Sequence, residues 1–391
     1  MRSKVFFADI RAVKEQDALV RKLKRLFEIS GAQDIIKRDD IVAVKIHFGE
    51  WGNEREWGNE RSLRPGFVRT LVDCIKEAGG RPFVMESIGM GWWLQGGRAS
   101  AFHYLATAAK HGFTTETMGA PIIIAGGFKG LSGTNLKING IELKEVSVVN
   151  EIFEADKIIL ATHFKGHSQA SMGGALKNLG TGCASKRGKA QQHARRPQFV
   201  IPEKCNGCGA CREVCPFDAI RIARGKASID PQKCWMGDQA CQFVCKPKAI
   251  ELEYTSPEEL SHRIVDTAAA IIRHMGKDKF AYFNFLLDIT AHCDCCAYSD
   301  LPIVPDIGIL ASKDPVAIDR ASIDLVNAST GIPKSLAEEA NVLQAGVEKL
   351  NAVAPLTQTW LEVKQPVDWK WQLNAAKKLK LGNDRYELIK I

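Results

Sequence analysis

Short apolar, β-branched runs recur along the first part of the chain, at 42–48, 81–86, 121–125 and 157–162. Runs of this length without polar alternation fit strands buried on both faces. Between them, 65–78 and 99–111 space their apolar residues at helical intervals, with Pro65 opening the first and Gly112 closing the second. Residues 1–10 alternate as a strand does. The rhythm predicts an α/β fold with a mostly parallel sheet and covering helices. Near Pro197 it stops, and Cys, Pro and Gly become dense. It resumes after Tyr254 with a helix at 257–275, strands at 280–289 and 303–311, and a helix opening at Asp314-Pro315, Asp as its cap. The pattern therefore divides the chain into a first part of an α/β domain (1–196), an inserted α+β module (197–254) and the second part of the same domain (255–391).

One interruption is a perfect tandem repeat: Glu50-Trp51-Gly52-Asn53-Glu54-Arg55 returns at once as Glu56-Trp57-Gly58-Asn59-Glu60-Arg61. Between a strand and a helix such a copy reads as a duplication tolerated in a surface loop, since lengthening a loop costs little. A lid carrying two tryptophans is the sharper alternative.

Composition adds limits. Hydrophobic residues at 45% and charged residues at 25% are ordinary for a globular chain with a core. No apolar stretch approaches the roughly 20 residues that span a bilayer, so no membrane association is expected. The N-terminus lacks the apolar core of a signal peptide, so a cytoplasmic location is expected. In such a reducing compartment, twelve cysteines of which seven fall between Cys205 and Cys245 mean metal ligands, not disulfides. The net charge of +8 is confined: residues 157–202 hold eight Lys and Arg and no acid. That points to an anionic partner at one place. Aromatic interleaving is poor and no nucleic-acid motif is present, which argues against a nucleic-acid partner.

Cys205-x-x-Cys208-x-x-Cys211-x-x-x-Cys215-Pro216 has the spacing of a bacterial ferredoxin, in which three cysteines grip one 4Fe–4S cluster and the fourth serves the other cluster of a pair. The following half echoes it. Pro231-Gln232-Lys233-Cys234 repeats Pro202-Glu203-Lys204-Cys205, and Cys245 with Ala249-Ile250 repeats Cys215 with Ala219-Ile220. Its internal spacing differs, because Cys234 and Cys241 are seven apart and Gly237-Asp238 stands where a middle cysteine is expected. Cross-ligation then gives one complete site (Cys205, Cys208, Cys211, Cys245) and one with three thiolates (Cys215, Cys234, Cys241). The second is open to a 3Fe–4S cluster, to a 4Fe–4S cluster completed by Asp238 or an outside ligand, or to none. A second cluster is expected, given three retained thiolates.

Two further groups carry chemistry. Cys293, Cys295 and Cys296 follow a predicted strand and could ligate metal, supply the missing cluster ligand or exchange electrons as thiols. Partly buried free thiols are the plain alternative. His163-Phe164-Lys165-Gly166-His167 and the glycine-rich 173–182 follow another strand, where parallel sheets place ligands. Exposed backbone amides with Lys165, Lys177 and Asn178 would cradle phosphate or carboxylate, and His163 or His167 would supply a proton. The two histidines are four apart, which suits metal on a helix, but Gly166 between them favours a loop. Cys74 and Cys183 read as buried thiols.

The runs His163 to His167, Gly173 to Gly180 and Gly182 to Lys189 resemble the domain-of-unknown-function family 362. So do Val44-Lys45-Ile46-His47-Phe48-Gly49-Glu50, Cys293-Asp294-Cys295, Val304-Pro305-Asp306-Ile307-Gly308 and Asp314-Pro315-Val316-Ala317-Ile318-Asp319. The chain is similar to the iron–sulfur branch of that family, in which a bacterial-type ferredoxin module interrupts the domain. The resemblance implies an α/β domain with iron–sulfur clusters and names no activity. That branch usually has eight cysteines in two regular runs, from which the second half here departs. The expectation is an iron–sulfur redox protein, of oxidoreductase type, whose module exchanges electrons with an anionic substrate or cofactor site in the α/β domain. The alternative is an electron carrier docking to a larger oxidoreductase, with the α/β domain as scaffold.

Overall fold

In a strand buried on both faces, successive side chains enter opposite cores. The strand Phe280–Leu286 does this: Phe280, Tyr282 and Leu286 join one core, Ala281, Phe283 and Phe285 the other. The computed structural model describes residues 2–50, 61–92, 94, 96–234 and 237–391. Among them eight strands share one sheet: β1 (Ser3–Asp9), β2 (Ile41–Lys45), β3 (Arg81–Ser87), β4 (Ile122–Ala125), β5 (Lys157–His163), β6 (Phe280–Leu286), β7 (Gly308–Ser312) and β8 (Tyr386–Lys390). Their order is β8-β1-β7-β6-β5-β2-β3-β4. All neighbours run parallel except β7, which is antiparallel to both β1 and β6. Helices Pro257–Met275, Pro315–Ala328 and Lys370–Lys378 cover one face, and Leu19–Ile29, Pro65–Glu77 and Ala101–Lys110 the other. The fold is the mostly parallel α/β class that the apolar runs predict.

The chain leaves β2 toward β3 and β4 on one side, then returns to place β5 and β6 on the other. The connections diverge between β2 and β5, and a parallel sheet opens its ligand crevice at the carboxyl ends of such strands.

Three local expectations change. The strand expected over 303–311 begins only at Gly308. Gly308 has φ +149°, and a Cβ there would collide with the Ala8 carbonyl oxygen, so the chain enters the sheet through a contact that only glycine permits. Next, the segment expected as a loop at 163–167 ends β5 and enters a short hairpin, Lys165–His167 against Ser171–Gly173. The Gly166 amide donates to the Thr290 carbonyl at 2.8 Å, and a Cβ on Gly166 would collide with the Ala291 carbonyl oxygen. Glycine here is a docking position for the cysteine loop, not a flexible turn.

Finally, the glycine-rich stretch forms a helix, Ala175–Gly180. Its first amides are already taken: Asp319 accepts from Ala175 N at 2.7 Å and Leu176 N at 3.0 Å, and from Asn284 Nδ2 at 2.9 Å. The expected backbone cradle for an anion is therefore filled by an internal carboxylate. Asp319→Ala should lower stability by at least about 2 kcal/mol, because several buried donors lose their acceptor; the shift of the urea unfolding midpoint measures this.

The module leaves and rejoins the domain at one place. Ala194 bridges Tyr254, Arg195 N donates to the Glu253 carbonyl, and Thr255 N to that of His193. Inside it, the hairpin Ile220–Ala223 with Lys226–Ile229, the pair Phe199–Val200 with Ile250–Glu251, and helices Ala210–Glu213 and Ala240–Val244 repeat one pattern twice. Its buried apolar core is small, Cys211, Ile220 and Ile250, the kind of core that small domains commonly supplement with a bound metal. The duplicated hexapeptide falls largely at 51–60, outside the described residues, so the loop and lid readings both lie outside them. Of its flanks, Glu50 pairs with Arg98 at 2.5 Å and Arg61 with Asp288 at 3.4 Å.

Candidate functional site

The module gathers its cysteines around two small cavities. Cys205, Cys208, Cys211 and Cys245 line one small cavity, and Cys215, Cys234 and Cys241 line another with Asp238. The two halves match in conformation when read from their short helices. Gly209 and Gln239 both take left-handed φ, +85° and +59°, just before those helices. Asp238 thus holds the place of Cys208, and the extra residue lies between Cys234 and Asp238. One carboxylate oxygen of Asp238, Oδ2, is buried without a hydrogen-bond partner. Burial also pushes its carboxyl above the usual range. A buried acceptor left open beside three thiols fits a cluster ligand.

A larger cavity of about 250 Å³ opens at the crevice between β2 and β5. His47 follows β2, Glu86 and Arg98 come from β3 and the segment after it, and His163, Lys165 and His167 end β5 and enter the hairpin. Lys177, Asn178, Lys189, His193 and Cys295 complete the wall. Lys45, fully buried, pairs with Glu86 at 2.8 Å. Asp294 pairs with His163 at 2.9 Å and Lys165 at 3.0 Å, all three buried. Burial alone would raise the Asp294 pKa, but His163 and Lys165 outweigh it and hold the carboxyl well below its usual value. Burial also pulls His47 and His193 down to about 4 and Lys189 down to about 7.

These contacts sort the candidates. His163 uses both ring nitrogens, Nδ1 on Asp294 and Nε2 on the Leu287 carbonyl at 2.8 Å, so it is a poor proton donor to a ligand. Lys165 is engaged by Asp294. Asn178 accepts from Lys45 Nζ at 3.0 Å and donates to Thr162 Oγ1 at 3.0 Å, so it orients Lys45 and has no free group for an anion. His167 and Lys177 remain. The His167 Nδ1 accepts from the Gln169 and Ala170 amides at 3.2 and 3.1 Å. Burial holds the ring neutral, which places its proton on Nε2. Among the described residues Lys177 makes no ion pair. The acid-free stretch is not a basic surface: Lys165, Lys186 and Lys189 are buried, and Arg195 and Arg196 pair with Glu259 and Glu253. Sequence reasoning does not single out His47, Glu86 and Arg98 as site residues. Their one sequence signal is position, just beyond the carboxyl ends of predicted strands.

Cavity and module share a wall. Gly89 and Met90 line the cavity, and the next residue, Gly91, donates its amide to the Gly237 carbonyl at 3.0 Å. Lys186 Nζ ties the same corner, donating to the Gly91 and Ala99 carbonyls at 3.0 Å each, with Asp238 Oδ2 at 4.0 Å. A Cβ at Gly237 would collide with the Lys186 carbonyl oxygen, so Gly237 is the residue that lets the second half seat here. Trp92 stacks on Phe243 with ring centroids 6.4 Å apart.

A curated 7Fe ferredoxin of Hydrogenibacillus schlegelii is 41% identical over 63 residues, which cover 16% of this chain and 80% of that protein. One component of the ferredoxin:CoB-CoM heterodisulfide reductase of Methanosarcina mazei is 31% identical over 105 residues, 22% of this chain and 12% of that component. The chain thus spans a small part of that component's length. Among solved structures, the lactate racemase apoprotein of Thermoanaerobacterium thermosaccharolyticum aligns with 100% of this chain and 83% of its own at 10% identity and a TM-score of 0.40. No helix among the described residues is long and apolar enough to cross a membrane. The inserted segment is a ferredoxin-like, iron–sulfur electron-transfer module. The domain it interrupts matches the family described as Domain of unknown function (DUF362) over residues 42–324, and the chain belongs to that family.

Proposed function

We propose that the ferredoxin module exchanges electrons with an anionic substrate or cofactor held in the cavity of the α/β domain. One observation carries this reading: the segment walling the cavity at Gly89 and Met90 continues directly into the hydrogen bond between Gly91 and Gly237, beside Asp238 and the second cysteine set. Cys205, Cys208, Cys211 and Cys245 would hold a 4Fe–4S cluster. The buried Oδ2 of Asp238, which accepts no hydrogen bond and has only the Lys186 ammonium at 4.0 Å, supports a second 4Fe–4S cluster on Cys215, Cys234, Cys241 and that carboxylate; without the carboxylate a 3Fe–4S cluster remains, as the 7Fe name of one relative suggests for that protein. Bound clusters supply one-electron transfer. The chain's own part is to attract the anion with Lys177, to donate to it from His167 Nε2, and to keep the reacting group away from bulk water.

Exposed Cys208 supports entry of electrons from a redox partner protein at the outer cluster. The same exposure is what favours the second reading, a carrier that docks to a larger oxidoreductase, but that reading gives the cavity no role. The first reading predicts that phosphate or a small carboxylate raises the melting temperature of the anaerobic protein and perturbs the cluster EPR signal. Lys177→Ala should weaken that binding about tenfold or more, the worth of one charge-assisted hydrogen bond. Equal anion affinity in the variant would sink the assignment.

A further inference from the structure

We infer that the cavity also holds a thiophilic divalent metal ion, of the zinc class, on Cys293, Cys295 and His167, apart from the iron–sulfur ligands. The inference deepens the cavity reading above, because the ion would be what the anion meets. One nitrogen of His167 and the sulfurs of Cys293 and Cys295 all lie within 4.8 Å of one another. Metal–sulfur bonds of about 2.3 Å and metal–nitrogen bonds of about 2.0 Å close around one ion after a contraction of about 1 Å. Two thiolates and an imidazole select zinc-class ions over magnesium or calcium.

The loop is built to present both sulfurs. Asp294, between them, is pinned in the interior by His163 and Lys165 at 2.9 and 3.0 Å. The Cys296 amide closes a turn onto the Cys293 carbonyl at 2.9 Å. Gly166 lets the histidine hairpin pack directly on the Thr290–Ala291 backbone. On the far side His47 lies beside Cys293, with its Nδ1 2.9 Å from the Tyr104 hydroxyl and 3.4 Å from a Glu86 carboxylate oxygen. That arrangement orients a ligand from outside the ligand set. Coordination by His167 displaces the two long amide contacts to its Nδ1, a rearrangement of a single ring.

Charge also balances. Around the cavity Lys45 pairs with Glu86, Lys165 with Asp294 and Arg98 with Glu50. Lys177 and Lys189 have no carboxylate partner among the described residues, and two thiolates would offset them. A divalent ion then leaves a net positive site, and three protein ligands leave a coordination position open, as in catalytic rather than structural zinc sites. A phosphate or carboxylate meets both requirements.

The test uses full-length protein with its iron complement, purified anaerobically, given Zn2+ alone and desalted. One zinc per chain should be retained. The double variant Cys293→Ser, Cys295→Ser should lose it, with affinity down about hundredfold or more, while iron content and circular dichroism stay unchanged. Zinc retained by that variant would overturn the inference. So would a wild type without zinc, whether its thiols are found free by alkylation or joined as a disulfide by mass. Zinc binding without any Lys177-dependent anion binding would remove the function reading alone. Anion binding that depends on Lys177 but needs no zinc would remove this inference alone.

Discussion

Cys245→Ser is expected to empty the iron site of Cys205, Cys208 and Cys211, whereas Cys215→Ser, within the first run itself, leaves that site filled and empties the other. The reason is topological. The leading cysteines of each half, Cys205, Cys208 and Cys211 in the first and Cys234 and Cys241 in the second, gather at one site, and the last cysteine of each half reaches across the pseudo-symmetric module. Cys245 accordingly lines the cavity of the first run, and Cys215 that of Cys234 and Cys241. Iron and sulfide analysis of anaerobic protein should show a loss of about four irons for Cys245→Ser, with distinct EPR signals surviving in the two variants. Equal loss of both signals in Cys215→Ser, with the α/β domain still folded, would contradict the assignment. Each loss should also loosen the module locally, because its apolar core of Cys211, Ile220 and Ile250 is small.

The second large effect is expected at Asp294. Its carboxylate balances His163 and Lys165, and all three side chains are almost fully buried. Asp294→Ala leaves two buried groups without their anion and should destabilise the α/β domain by about 3–5 kcal/mol. Because the folded-state pKa of Asp294 is depressed, its contribution is fully present above the unfolded value of about 3.9. It is lost as pH falls through the folded value. Urea unfolding at pH 7 should therefore show the full difference between wild type and variant, and the difference should shrink only in strong acid. An unchanged midpoint at pH 7 would show that the trio does not hold the cysteine loop.

Much of the fold is legible because apolar runs and cysteine spacing are local. The expected strands at 81–86, 121–125 and 157–162 appear within a residue or two of β3, β4 and β5, since each holds an unbroken apolar run, Pro82 to Met85, Ile122 to Ala125 and Ile158 to Ala161. β8 has no such signal: Tyr386–Lys390 carries Glu387 and Lys390 among its five residues, and it is a strand because β1 offers it an edge. The candidate site divides similarly. His167 and Lys177 reach the cavity, but His163, Lys165 and Asn178 are absorbed by partners far away in sequence, Asp294, Leu287, Lys45 and Thr162.

The ferredoxin-type run, its degenerate echo and the α/β rhythm are written in residue order, because cluster ligation and strand burial depend on spacings of a few positions. Which acid meets which base is not. Forming the β2–β5 crevice, seating Gly237 on Lys186 and turning Asp294 toward His163 each join segments tens of residues or more apart. No local pattern encodes those meetings, and only the tertiary structure decided which basic residues of the acid-free stretch remain free to meet an anion.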